Sequence, residues 1–122
     1  MAGISDLCPE IYRQTVIVEC QDCMNLSDPN TFKSFMYDLC GLLDVTVVLG
    51  PRVISYEDDD NPEKNGVSAS LVFAESGMHM HSWPEYSFLR FDMWSCKPFN
   101  SKYIRQALMQ WFMPMKIVMK QF

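Results

Sequence analysis

The segment from Ser87 to Trp94 alternates between two kinds of side chain, and this alternation constrains the fold more than any other stretch of the chain. Successive side chains of a β-strand point to opposite faces of a sheet, so the pattern predicts a strand with one buried face. One face carries Ser87, Leu89, Phe91 and Met93, and the other carries Phe88, Arg90, Asp92 and Trp94. The strand therefore belongs to a sheet that is covered on one side.

Runs of β-branched and apolar residues predict further strands. They lie at 15–19, 45–49, 53–56, 67–75 and 116–120. The dipeptide Gly50-Pro51 is typical of a turn and predicts that the strands on either side of it are separate. The polar segment 57–65, which contains Pro62 and the acidic run 57–60, predicts a solvated loop.

Two helices are expected to cover the sheet. The segment Ser27-Asp28-Pro29 provides a cap residue and a first-turn proline for a helix that ends near Leu43. A second helix ends before Pro114, and its apolar face carries Ile104, Ala107, Leu108, Trp111 and Phe112. The order of elements predicts an α+β fold, a two-layer sandwich whose largely antiparallel sheet has both helices on one face.

Chain length and charge limit the classes of function. A chain of 122 residues suits one domain spanning 1–122. The net charge of −5 argues against a nucleic-acid partner, and no apolar run reaches the roughly 20 residues of a membrane helix. Residues 1–9 lack a basic segment followed by an apolar core, so no signal peptide is expected and a cytoplasmic location follows.

The five cysteines are predicted to be free thiols. An odd number without a secretion signal argues against a disulfide framework. Cys20 and Cys23 have the C-x-x-C spacing, for which a structural zinc site and a redox disulfide are the alternatives. Zinc would need a second pair of ligands, and neither the two histidines, His79 and His81, nor the other cysteines provide one.

Most side chains that can do chemistry are concentrated between residues 68 and 96. They are Ser68, Glu75, Ser76, His79, His81, Glu85 and Cys96. Three interpretations compete from the residues alone. His79 and His81, on one face of an extended segment, could bind a metal with Glu75 or Glu85. A hydrolase triad would lack the G-x-S-x-G turn around its serine. Both histidines could also be ordinary surface residues of a strand.

Several short motifs in this region follow one another at characteristic distances. They are Gly66-Val67-Ser68, Ala74-Glu75-Ser76, His81-Ser82-Trp83-Pro84-Glu85-Tyr86, and Asp92 with Cys96. Together they resemble the bacterial and archaeal S-adenosylmethionine decarboxylase proenzymes, without a gap from Gly66 to Cys96, and the flanking elements follow the same order. The resemblance implies a self-processing decarboxylase that uses a pyruvoyl group, with no metal and no pyridoxal phosphate.

In such an enzyme the pyruvoyl group derives from a serine of the chain, here Ser76. The Ser76 hydroxyl would attack the Glu75 carbonyl, and cleavage between Glu75 and Ser76 would leave the pyruvoyl group at the start of the second fragment. Its carbonyl forms a Schiff base with the substrate amine and accepts the electrons that decarboxylation releases.

The resemblance also implies roles for four other residues. Ser68 and His81 would assist self-cleavage, with His81 transferring the proton. Cys96 would reprotonate the decarboxylated carbon, and Glu85 would bind the substrate by accepting hydrogen bonds from ribose hydroxyls. Chains of this size in the family form dimers with sites near the subunit interface, so a homodimer of cleaved protomers is expected.

Two positions depart from the family pattern. Gly77 follows the serine where a histidine is usual, and Pro62 stands where an aromatic residue usually stacks on adenine; Tyr56 is a candidate replacement. The expected substrate is S-adenosylmethionine, decarboxylated for the synthesis of spermidine and other polyamines. The alternatives are a decarboxylase of arginine or ornithine, which an acidic loop would suit, and an unprocessed homologue that acts as a binding or regulatory subunit.

Overall fold

Six strands and two α-helices make up the part of the chain that the structure describes, residues 7–122 of a computed structural model. In chain order they are β1 (Gln14–Gln21), α1 (Pro29–Leu43), β2 (Val47–Tyr56), β3 (Gly66–Phe73), β4 (Ser76–Trp83), β5 (Phe88–Ser95), α2 (Lys102–Phe112) and β6 (Lys116–Gln121). The strands form one sheet in the order β2-β3-β4-β5-β1-β6, and every neighbouring pair is antiparallel.

The core lies between the two helices and one face of the sheet. In β5, Leu89, Phe91 and Met93 are buried and alternate with more exposed residues, as the sequence pattern predicts. The Phe35 ring of α1 packs between two others, with centroids 5.7 Å from Phe91 and 5.5 Å from Phe112 of α2. The expected α+β sandwich with both helices on one face of the sheet is confirmed.

The opposite face of the sheet is open, and it is called the open face below. Its side chains include those of Glu19, Ile54, Ser68, Ser70, Val72, His79, His81, Arg90, Asp92, Trp94 and Val118. Three of the polar residues that the sequence marks as functional, Ser68, His79 and His81, are on this face, whereas Ser76 pairs with the buried residues Phe73 and Ser95. The helices therefore provide stability on one side of the sheet and leave the other side available for chemistry or for a partner.

Helix α1 begins and ends where its sequence requires. The Asp28 side chain accepts a hydrogen bond of 3.0 Å from the Asn30 amide, and Pro29 opens the first turn. The helix ends at Asp44, whose left-handed conformation lets its amide bond back to the carbonyl oxygens of Cys40 and Gly41. The predicted cap and helix end are confirmed.

The predicted turn at Gly50-Pro51 is wrong, because both residues lie inside a single strand, β2. The register between β2 and β3 shifts on both sides of Leu49, which identifies a bulge. A proline without an amide hydrogen is tolerated here because β2 is the edge strand of the sheet. Gly50 adopts a φ of 99°, which favours glycine.

Strand β4 is the element that the sequence pattern does not single out. Its residues include Gly77, two histidines and two methionines rather than β-branched side chains. It forms because β5 pairs with it over its full length and β3 pairs with residues 76–81 on the other side. Met78, Met80 and Ser82 face the core, which leaves the histidines on the open face.

Within residues 7–122, no helix is long and apolar enough to span a bilayer. The sequence predicts no signal peptide in residues 1–9. The first six of these residues lie outside the described part of the chain.

Replacing Phe35 by alanine should lower the free energy of unfolding by about 3–5 kcal/mol, because it removes a fully buried ring and leaves a cavity. Urea unfolding of the two proteins measures the difference. Tyr37→Ala is the control in the same helix, since its side chain is 55% exposed, and it should change stability by no more than about 0.5 kcal/mol. Equal losses in both variants would contradict the placement of this helix face.

Candidate active site

Ser68 and His81 form the best-defined polar pair on the open face. They are directly opposite each other in the β3–β4 register, and Ser68 Oγ lies 2.6 Å from His81 Nδ1. The His81 ring packs edge-on against Trp83 with centroids 4.4 Å apart, and Trp83 lies 5.3 Å from Phe88. These contacts fix the position of the imidazole on the sheet.

Burial lowers the pKa of His81 from its ordinary value of 6.5, and the charge of His79 lowers it further. The imidazole is therefore mainly neutral at pH 7, and a neutral imidazole can accept a proton from a hydroxyl group. With a serine hydroxyl already hydrogen-bonded to one ring nitrogen, His81 has the properties of a proton-transfer group.

A second serine–histidine pair lies beside the first. Ser70 Oγ is 2.6 Å from His79 Nδ1, and both residues are exposed. The sequence singles out His79 but not Ser70. The spacing could have indicated this pair. Ser68 and Ser70 are two residues apart, as are His79 and His81, so a hairpin of β3 and β4 places each serine opposite a histidine.

Glu75 and Ser76 lie where the chain turns from β3 into β4. The Cys96 N–H donates a hydrogen bond of 3.1 Å to the Glu75 carbonyl oxygen. Cys96 is held there because the preceding residue, Ser95, pairs with Ser76 in the sheet, and its thiol is exposed. A fixed N–H aimed at a carbonyl oxygen stabilises the negative charge that develops on that oxygen during nucleophilic attack.

The Glu75 side chain adds an unusual feature to this turn. Its Oε1 atom is buried and has no hydrogen-bond partner within residues 7–122. A buried acceptor without a donor costs about 1–3 kcal/mol. The position is therefore suited to receive a donor from a ligand or from a second chain.

Gly66 and Gly77 lie where the backbones of neighbouring strands approach closely. A Cβ at Gly66 would be 2.1 Å from the Ser82 carbonyl oxygen, so only glycine fits. A Cβ at Gly77 would be 2.9 Å from the Leu71 carbonyl oxygen, so a side chain there would require the strands to shift. The glycine that departs from the family pattern therefore matches the close approach of β3 and β4 in this chain.

The two halves of the predicted site lie at opposite ends of β4. Ser76 is the first residue of this strand and His81 comes five residues later, so about 16 Å of extended chain separate them. The structure brings Ser68 to His81, and it brings Cys96 to Glu75 and Ser76. Within one chain, the Ser68–His81 pair remains far from Glu75, Ser76 and Cys96.

Glu85 lies near the end of the sheet that carries His81. It belongs to a short 3-10 turn, Pro84–Tyr86, and its side chain is exposed. The side-chain amide of Gln21 donates a hydrogen bond of 2.6 Å to the Tyr86 carbonyl and fixes the turn. A small pocket next to the turn is lined by residues that include Tyr56, Glu57, Asn65, Gly66 and Pro84.

The metal-binding interpretation of the histidines has no support in this geometry. Within residues 7–122, no group of three or more His, Cys, Asp or Glu side chains is placed to hold a metal ion. Each histidine is instead hydrogen-bonded to a serine across the hairpin.

Comparison with known proteins decides the family. The model of the S-adenosylmethionine decarboxylase family matches residues 14–122, which is most of the chain. The chain belongs to the S-adenosylmethionine decarboxylase family. The resemblance drawn from the sequence motifs is thereby confirmed.

Individual relatives align with this chain over shorter stretches than the S-adenosylmethionine decarboxylase family model does. An arginine decarboxylase proenzyme of Aeropyrum pernix is 44% identical over 34 residues, which cover 28% of this chain and 26% of the relative. An S-adenosylmethionine decarboxylase proenzyme of Saccharolobus islandicus is 44% identical over 36 residues, 30% of each chain. One of Thermodesulfovibrio yellowstonii is 28% identical over 83 residues, 66% of this chain and 56% of the relative. The aligned stretches thus span between a quarter and just over half of the length of each of these relatives.

The fold also has a counterpart among solved structures. The crystal structure of the adenosylmethionine decarboxylase from Aquifex aeolicus superposes with a TM-score of 0.70 and covers 92% of this chain and 89% of that one. Sequence identity is 14%, so the match shows a shared fold.

Replacing His79 by glutamine should raise the pKa of His81, because one of the two causes that lower it is the charge of His79. The pKa should stay below 6.5, because burial is the larger cause and is unchanged. Titration of the His81 ring by NMR measures both effects. The control is Lys102→Gln, which removes a cation from α2 on the other side of the sheet and should leave the pKa of His81 unchanged. A pKa of His81 above 6.5 in the unmodified chain would contradict the account.

Proposed function

We propose that this family member is a proenzyme that cleaves itself between Glu75 and Ser76 and then acts as a pyruvoyl-dependent decarboxylase. The observation that carries the proposal is the hydrogen bond of 3.1 Å from the Cys96 N–H to the Glu75 carbonyl oxygen. It acts on the one carbonyl group that the Ser76 hydroxyl must attack. The printed names of the aligned relatives, which are proenzymes of decarboxylases, support the same proposal.

Self-cleavage uses the chain's own atoms. The Ser76 hydroxyl attacks the Glu75 carbonyl carbon, and the Cys96 N–H stabilises the oxyanion while the amide becomes an ester. Loss of the Ser76 α-proton then expels the Glu75 carboxylate and leaves dehydroalanine at residue 76. Hydrolysis of the dehydroalanine consumes one water, releases one ammonia and leaves the pyruvoyl group. His81, which is mainly neutral at pH 7, is the residue proposed to carry protons in these steps.

A pyruvoyl group at residue 76 would supply the electron sink that decarboxylation of an amino acid requires. The surrounding residues fit that group. The exposed thiol of Cys96 can deliver a proton to a substrate carbon held beside residue 76. Glu75 Oε1, which has no hydrogen-bond partner among residues 7–122, can accept a hydrogen bond from a substrate or from a second chain. The exposed carboxylate of Glu85 can accept hydrogen bonds from substrate hydroxyls.

The proposed substrate is S-adenosylmethionine, whose decarboxylated product serves polyamine synthesis. The family description favours it. Tyr56 supports it as well, since its exposed ring lines the pocket beside the Glu85 turn and could replace the aromatic residue missing at Pro62. Arginine is the second candidate, because one aligned relative is an arginine decarboxylase proenzyme and Glu57 lines the same pocket.

The separation of Ser76 from His81 supports a homodimer in which the site is shared. A two-fold axis between two open faces, crossing the middle of β4, places the Ser76 end of one chain over the His81 end of the other. Each site would then combine Ser76 and Cys96 of one chain with Ser68, His81 and Glu85 of its partner. The exposed apolar side chains of Ile54, Val72, Trp94 and Val118 give such an interface a contact surface.

Release of labelled CO₂ tests the substrate. The chain should decarboxylate S-adenosylmethionine in preference to arginine and ornithine, and Ser76→Ala should reduce the release to background. Glu85→Gln should raise KM about tenfold with a smaller change in kcat, because it removes a charge-assisted hydrogen bond to the substrate. Glu63→Gln, an exposed glutamate in another short turn, is the control and should leave both constants unchanged.

The substrate panel separates the candidates. Release from arginine or ornithine alone would contradict S-adenosylmethionine as the substrate but keep the decarboxylase. A cleaved chain that releases CO₂ from none of the three would contradict the decarboxylase proposal.

Mixing two inactive variants tests the shared site. Ser76→Ala and His81→Ala should each remain uncleaved alone. Co-expressed in equal amounts, they should give cleavage of roughly half of the His81→Ala chains, because a random half pair with a partner that supplies His81. Mass spectrometry distinguishes the fragments of the two variants.

The control pairs His81→Ala with a chain that carries both substitutions. No cleavage should occur there, since neither chain supplies His81. Absence of cleavage in the complementary mixture, with heterodimers present, would place the whole site within one chain and contradict the proposal.

A further inference from the structure

Cys20 and Cys23 lie outside the active site, at the end of β1 and in the loop that follows. A continuous strand would place side chains three residues apart on opposite faces. Asp22, with a φ of 59°, turns the chain in a left-handed conformation between them. Their thiols, which are free, consequently lie beside each other, and the interaction between them shifts the pKa of both.

We propose that Cys20 and Cys23 form a redox-active dithiol that a low-molecular-weight disulfide, such as glutathione disulfide, oxidises reversibly to an intramolecular disulfide. Disulfide formation requires sulfur atoms that can approach to about 2.05 Å and Cβ atoms roughly 4 Å apart. Two thiols that already lie beside each other need only a small movement to meet these conditions. The proposal goes beyond the decarboxylase and does not depend on self-cleavage.

The surroundings of the two thiols differ, and this gives each a separate role. Cys20 is 1% exposed and belongs to the core, whereas Cys23 is only partly buried. The hydrogen bond from Cys20 lowers the pKa of Cys23, although burial and the charge of Asp22 oppose the shift. The same hydrogen bond and burial raise the pKa of Cys20. Negative charge is therefore favoured on the more accessible sulfur, and Cys23 is the thiol that reacts first.

The oxidation balances as two thiol–disulfide exchanges. The Cys23 thiolate attacks one sulfur of glutathione disulfide, and the first glutathione leaves as a thiolate. Cys20 then loses its proton and attacks the Cys23 sulfur, which expels the second glutathione. Two electrons pass from the dithiol to glutathione disulfide, and excess reduced glutathione reverses both steps.

The dithiol lies in a loop that is bonded to the Glu85 turn. The Cys23 N–H donates a hydrogen bond of 3.2 Å to the Ser87 carbonyl oxygen. The neighbouring Gln21 side chain bonds the Tyr86 carbonyl at 2.6 Å. The site of oxidation is thus in direct backbone contact with the segment that presents Glu85.

Tryptic mapping tests the proposal on the full chain. The fragment 14–33, between Arg13 and Lys33, contains Cys20 and Cys23 and no other cysteine. After equilibration with excess glutathione disulfide and alkylation, this fragment should be two hydrogens lighter than the reduced form and carry neither an alkyl group nor glutathione. A fragment that still takes two alkyl groups, or that stays bound to glutathione, overturns the proposal.

Rates and variants supply a second readout. In the reduced protein at pH 7, Cys23 should alkylate at least about tenfold faster than Cys40, since burial raises the pKa of Cys40 to about 11. Cys20→Ala should slow alkylation of Cys23 and trap its mixed disulfide with glutathione. Cys8→Ser is the control and should change neither result. Alkylation of Cys23 that is equally fast with alanine at position 20 would overturn the assigned roles.

Discussion

The antiparallel pairing of β3 with β4 is the interaction on which the rest of the structure depends. It places Ser68 opposite His81 and Ser70 opposite His79, and it forms the turn that contains the Glu75–Ser76 bond. A shift of one residue in this register would turn the histidines into the core and the methionines out. Met78 and Met80, buried beneath the helices, therefore keep Ser68 and His81 on the open face.

Coverage of a single face explains how a small domain can keep its chemistry accessible. The aromatic contacts of Phe35 with Phe91 and Phe112 stabilise one side of the sheet, so the other side need not be apolar. In this arrangement the predicted site residues lie at opposite ends of β4. Ser76, the proposed nucleophile, and His81, the proposed proton-transfer residue, are about 16 Å apart along this strand, and the proposed two-fold partner would bring them together.

The sequence was most informative where one physical rule dominated. The alternation in 87–94 and the cap within Ser27-Asp28-Pro29 predicted their elements because burial and capping act locally there. The turn predicted at Gly50-Pro51 failed because an edge strand tolerates a proline that a central strand would exclude. Motif spacing predicted Ser68, Ser76, His81 and Cys96 as site residues. Because β4 has no strand-like composition, neither the Ser70–His79 pair nor the distance from Ser76 to His81 could be obtained without the register.

Conversion of Ser76 is the central claim, and the intact mass of freshly purified protein under denaturing conditions tests it most directly. The account predicts two fragments, 1–75 and 76–122, whose summed mass differs from that of the whole chain by the gain of one water and the loss of one ammonia. That balance distinguishes self-cleavage from proteolysis, which adds water alone. A single chain of 122 residues that persists after long incubation would contradict the account and leave an unprocessed homologue.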